Sequence, residues 1–227
     1  MKDFLNAFYV TFIFENRWRF FYRGFLMTIL LTLTSFLFGS LLGALFCKIK
    51  MSEHRLIRRI VSCLVSFFIQ IPTLVLLMFL VYIIFKSVPL SVVVIVIFGL
   101  TLKASAYLSE IFYTAINSVN KGEVEAAKTL GLSRIQTFFY VILPQSVDMA
   151  LPVYKNQFII TLQETSIVGY LAIMDLTRAS DIVTARTLNA MFGLVAISIL
   201  YLILGWVGNG ILTLISRRKH LEGDEIK

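Results

Sequence analysis

The chain has 227 residues, 58% of them hydrophobic and 15% charged, with a mean hydropathy of +0.85 and a formal net charge of +8. That is too little polar surface to cover a soluble globule of this size, so a soluble enzyme or binding module is excluded and a polytopic membrane protein is expected. The basic residues sit beside the apolar runs rather than along one soluble face, which argues for membrane orientation and against nucleic acid as a partner.

Residues 1–23 are rich in Phe, Tyr and Trp, and Glu15, Asn16, Arg17 and Arg19 interrupt any run that would read as a signal peptide. This segment suits a helix lying among lipid headgroups; the alternative is a ragged first turn of the first span. Apolar runs follow at 25–47, 60–85, 88–112, 151–174 and 189–215. Each is long enough for the ~20 residues that cross ~30 Å of hydrocarbon. An all-α membrane bundle of about five transmembrane helices over 24–215 is expected, with the termini on opposite faces and a short basic tail at 216–227. Cys47 and Cys63 belong to no metal or disulfide pattern, and His54 and His220 stand alone in basic segments.

Lys48, Lys50, Arg55, Arg58 and Arg59 lie between the first two spans, Lys121, Lys128 and Arg134 after the third, and Arg217, Arg218 and Lys219 after the fifth. The positive-inside rule makes these three segments cytoplasmic, placing the N-terminus outside and the C-terminus in the cytoplasm. Lys2, Arg17, Arg19 and Arg23 argue the other way and are outnumbered.

The polar interval at about 118–145 has a derivable shape. Asn120 is placed as an N-cap with Glu123 three residues on, and Gly131 fits the position just past a helix end. Ser133 followed by Gln136 predicts a capping box for a second short helix, which Pro144 is expected to limit. The small and apolar residues Ala126, Ala127, Leu130, Leu132 and Ile135 would suit a helix-in-groove contact with a partner, or packing of the hairpin on its own bundle.

The sequence Glu125-Ala126-Ala127-Lys128-Thr129-Leu130-Gly131, closing at Val141-Ile142-Leu143-Pro144, resembles the cytoplasmic "EAA" loop of bacterial ABC-importer permeases. Further blocks resemble the polar amino acid uptake branch of that family: Gly24 to Ile29 with Ser35, Gly39 and Gly43; Ala106 to Phe112; and Leu151-Pro152 with Asn156-Gln157-Phe158 and Glu164-Thr165-Ser166. The resemblance covers about 24–215 and implies a type I importer permease in the bacterial cytoplasmic (inner) membrane. It further implies a paired permease, identical or related, two cytoplasmic ATPases and an extracytoplasmic solute-binding protein. Glu125, Ala126, Ala127, Gly131, Leu132 and Pro144 would then couple the chain to the ATPase. Three blocks depart from the family pattern. Gln70-Ile71-Pro72-Thr73 stands for Arg-Gly-Thr-Pro, Lys103 for a small polar residue, and Gln163-Glu164 for Lys-Asp. All three lie where solute would pass.

An ionisable group near the bilayer centre costs ~2.5–3.5 kcal/mol on insertion scales, so Lys103, Glu110 and Glu164 should avoid lipid. Lys103 and Glu164 fall at depths of roughly 15 and 20 Å from the cytoplasmic side and are expected to pair. With Gln70, Thr73 and Gln163 they form a polar belt, either a solute path or an internal network holding helices together. Glu110 is expected to pack against the loop helices, and Ser35, Gly39 and Gly43 to allow close helix approach. The sequence contains no GxxxxGK[ST] loop and no nucleophile constellation, so the chain is not expected to be an enzyme or to bind a cofactor; ATP and Mg would belong to a partner. The leading expectation is an ATP-driven importer permease for a polar amino acid, glutamine or a basic one. The alternative is an ion-coupled secondary transporter or channel, which five spans without an inverted repeat or broken helices would weaken.

Overall fold

The computed structural model describes residues 2–224, with side chains over 5–216; the side chains of Lys2, Arg217, Arg218, Lys219 and His220 lie outside the described ones. Every regular element among the described residues is helical. In chain order the α-helices are α1 (Lys2–Phe8), α2 (Trp18–Lys50), α3 (Arg55–Gln70), α4 (Thr73–Phe79), α5 (Val92–Asn117), α6 (Lys121–Thr129), α7 (Arg134–Thr137), α8 (Leu143–Glu164), α9 (Leu176–Thr187) and α10 (Ala190–Asp224). Three stretches are long and apolar enough to cross a membrane unaided: α2, α5 and Ala190–Ser216 of α10. Two bent pairs, Arg55–Gln70 with Thr73–Ile84 and Arg134–Leu171 with Leu176–Thr187, bring the total to five. The sequence anticipated an unbroken second span, which is broken at Ile71-Pro72; the anticipated fourth run at 151–174 is helical as far as Leu171, and its bend falls at the end of that run, before α9. The break at Ile71-Pro72 has a local cause: proline has no N–H to donate, and both residues are extended (ψ 130° and 135°).

The chain divides into two compact units. The first comprises 1–36, 72–100 and 158–227 and the second 37–71 and 101–157. In the first, Leu31, Leu77, Val96, Leu100, Val168 and Leu171 form one buried cluster, and Phe21, Leu176, Ala179, Val183 and Ile197 a second. The aromatic N-terminus joins the latter, since Phe12 packs on Phe21 and Phe8 on Phe192. Trp18 to Arg23, expected ahead of the first span, are the opening turns of α2. At 33 residues that helix is ~50 Å long, more than the hydrocarbon requires, and Trp18, Arg19 and Tyr22 occupy its surplus end.

Past the bend that follows Leu171 lies α9, which the sequence reading left without structure. Asp175, fully buried, caps it by accepting hydrogen bonds from the backbone N–H of Arg178 (2.9 Å) and Thr177 (3.2 Å), while Tyr201 donates to the same carboxylate (3.4 Å). Gly24 lies against this turn: a Cβ there would stand 2.5 Å from the Asp175 carbonyl oxygen. Because the obstacle is backbone, Gly24→Val should destabilise the protein by about 1–3 kcal/mol, read as a lower melting temperature in detergent. A melting temperature equal to wild type would contradict that close approach.

In the second unit the two glycines of the small-residue stripe pack as expected. A Cβ on Gly39 would meet Ala104 Cβ at 2.8 Å, and one on Gly43 would meet Leu108 Cβ at 2.9 Å, so α2 and α5 are in backbone-close contact there.

Candidate coupling loop and translocation path

The loop between α5 and α8 is held by its own caps. Asn120 accepts from the Gly122 N–H (2.9 Å) and starts α6. At its end the Leu132 N–H donates to the Ala127 carbonyl (3.2 Å) and the Gly131 N–H to that of Lys128 (3.0 Å), a Schellman closure with Gly131 at φ +85°. Ser133 and Gln136 form the reciprocal capping box that starts α7. Gln145 Nε2 donates to Glu123 Oε2 (2.5 Å), tying the start of α8 to α6.

Pro144 does not limit the second helix. A π-helical turn, Phe138–Ile142, follows α7, and Pro144 is the second residue of α8, so helix runs on from Arg134 to Leu171. The wider turn accommodates a residue that lacks an N–H and would crowd the carbonyl four residues back. On the outer surface Glu125 and Ala126 are exposed, Leu130 is 82% and Ile135 71% exposed, and Leu132 is half-buried. Ala127, expected on that surface, is buried at 4% on the face where α6 packs against α7 and the π-turn. It follows Val124 at helical spacing, whereas Glu125 and Ala126 lie between the two and project outward.

The polar-belt residues separate by unit. In the first, Thr73 Oγ1 at the start of α4 donates to Glu164 Oε1 at the end of α8 (2.8 Å), and Gln163 beside it is exposed. In the second, Lys103 is 3% exposed and its ammonium donates to the carbonyls of Ile69 (3.0 Å) and Ile71 (2.6 Å), which flank the exposed Gln70. The Tyr107 ring lies 5.5 Å from the ammonium, and its hydroxyl points to the Ile69 carbonyl (3.5 Å). These carbonyls belong to the last turn of α3 and the residue after it. Lys103 is therefore a cation at a helix C-terminus, satisfying acceptors that the Ile71-Pro72 break takes out of the helical ladder.

Glu110, expected against the loop helices, instead accepts from Lys50 Nζ at 2.6 Å, and the same ammonium sits 4.5 Å from the Tyr113 ring. Sequence reasoning missed this pair and the Lys103 cap. Pro72 signalled a helix end needing donors, but nothing local named which side chain would supply them.

Residues 35–221 match the family described as "Binding-protein-dependent transport system inner membrane component". The chain is 30% identical over 182 residues to the "Probable amino-acid permease protein YxeN" of Bacillus subtilis (strain 168), covering 78% of this chain and 81% of that one. It is 33% identical over 177 residues to the L-cystine transport system permease protein TcyB of the same organism, covering 77% of this chain and 75% of that one. A crystal structure of an amino acid ABC transporter with histidines matches at a TM-score of 0.80 and 29% identity, over 88% of this chain and 94% of that one. The two breaks remove the helix-continuity argument against secondary transport, and family membership supplies a stronger one. The chain belongs to the binding-protein-dependent transport system inner membrane components, as a multi-pass inner-membrane protein with the type I ABC-importer permease fold.

Proposed function

We propose that this chain is the permease subunit of an ATP-driven importer for polar amino acids, glutamine or a basic one, working by alternating access. What carries the reading is the loop: α6 and α7, each capped from within, meet at Gly131 and hold Glu125, Ala126, Leu130 and Ile135 out in water. Exposed apolar side chains on a rigid, water-facing hairpin are what a partner's groove would cover. In this reading ATP and Mg are handled by a separate ATPase, whose closure moves the paired loops and shifts the spans between inward- and outward-facing states. A solute-binding protein delivers substrate at the outer face, with the N-terminus outside and the C-terminus in the cytoplasm. Gln70, Thr73, Lys103, Gln163 and Glu164 line the path. The relatives' printed names, for amino acids and for L-cystine, and the histidines of the solved transporter support an amino acid as the solute.

The test is uptake by the complex purified from its native membrane and reconstituted with its binding protein, using labelled glutamine, arginine, histidine and lysine. Accumulation of at least one of them that requires ATP is expected. Uptake that persists without ATP and collapses with the ion gradient would overturn the proposal.

A further inference from the structure

A cavity of about 930 Å³ in the second unit has no part in the coupling loop or the polar belt, and its lining includes Lys50, Arg55, Arg58, Arg59, Glu110 and Tyr113. Lys50 is already neutralised by Glu110 and faces the Tyr113 ring. The three arginines are exposed and form no ion pair among the described residues, so the cavity keeps an excess of positive charge. Its depth follows from the chain. α2 is a membrane span ending at Lys50, and α3, half of another, begins at Arg55, leaving only residues 51–54 to turn at the membrane surface. Arg58 and Arg59 lie three and four residues into α3, within roughly 6 Å of that turn at 1.5 Å per residue, which is headgroup depth. Interleaved with them on the same helix, Leu56, Ile57 and Ile60 are exposed apolar side chains.

We propose that this cavity binds the phosphate headgroup of an anionic phospholipid, with the acyl chains lying along the apolar residues of α3. Arg55, Arg58 and Arg59 offer forked donors suited to phosphate oxygens, and the Glu110–Lys50 pair fixes the back wall. The apolar neighbours distinguish a lipid from a free phosphate, which has no use for them. Basic pockets between transmembrane helices at the membrane surface are where anionic headgroups gather. The site does not depend on the solute or on the coupling loop.

The test is native mass spectrometry of the purified complex exchanged into mixed micelles holding equal phosphatidylglycerol and phosphatidylcholine. Wild type should retain phosphatidylglycerol in preference. Arg58→Gln with Arg59→Gln should lower that preference about tenfold or more, while Lys86→Gln with Arg178→Gln, an equal loss of charge elsewhere, should not. Equal retention of both lipids by wild type would overturn the proposal and needs no variant to fold. So would an equal loss in both double variants, or displacement of phosphatidylglycerol by millimolar inorganic phosphate.

Discussion

Lys103→Met should cost roughly 2–4 kcal/mol of stability and reduce uptake at least tenfold, because it takes the buried ammonium from the Ile69 and Ile71 carbonyls at the end of α3. The two carbonyls at the end of α3 then lose the donor that caps them. Lys103→Gln keeps an N–H donor without the charge, so it should recover much of the melting temperature lost in Lys103→Met. Recovery of uptake as well would mean that the cap is the whole role of Lys103. Stability without uptake would point to its charge and to the proposed pairing with Glu164, which combining Lys103→Met with Glu164→Gln then tests. Two independent losses with no rescue would exclude the pair. A Lys103→Met protein with wild-type stability would show that the broken helix does not need this cation.

Gly131→Val should leave the protein in the membrane at normal levels yet reduce uptake at least tenfold. No atom lies within 4 Å of where a Cβ would stand, so the change introduces no clash. What it meets is φ +85°, a conformation that costs a β-branched residue about 1–3 kcal/mol. The loop relieves that strain by rotating the backbone, which alters the angle at which α7 leaves α6. Gly131→Asn is the control, since asparagine tolerates positive φ, and it should keep most of the uptake. Normal uptake by Gly131→Val would remove the glycine turn from the coupling account.

The loop was legible because its structure is local. Asn120, Gly131, Ser133 and Gln136 act within a few residues of themselves, and each stands where spacing put it. Pro144 and Ala127 misled for different reasons. A proline near a helix start is accommodated rather than terminating once a π-turn precedes it, and an alanine in a short amphipathic helix serves either face equally well. The Gly39 and Gly43 stripe was readable because only small residues permit that approach. The polar belt was readable as an inventory but not as a set of partners. Hydropathy shows that Lys103 must be satisfied, yet the carbonyls it serves come from a break more than thirty residues away. The Lys50–Glu110 pair, 60 residues apart, was hidden for the same reason. The helix α9 was signalled by Asp175 two and three residues ahead of Thr177 and Arg178, a cap that the search for apolar runs passed over.

The central claim is that the loop from Asn120 to Pro144 joins this permease to an ATPase. Its most direct test is purification of the tagged chain from its native membrane, with mass identification of what accompanies it and an ATP hydrolysis assay in lipid. The account predicts a stoichiometric ATPase subunit and lipid-supported hydrolysis, both lost or sharply reduced in Gly131→Val and retained in Gly131→Asn. A folded chain that carries no ATPase, or one whose ATPase stays bound and active in Gly131→Val, would contradict it.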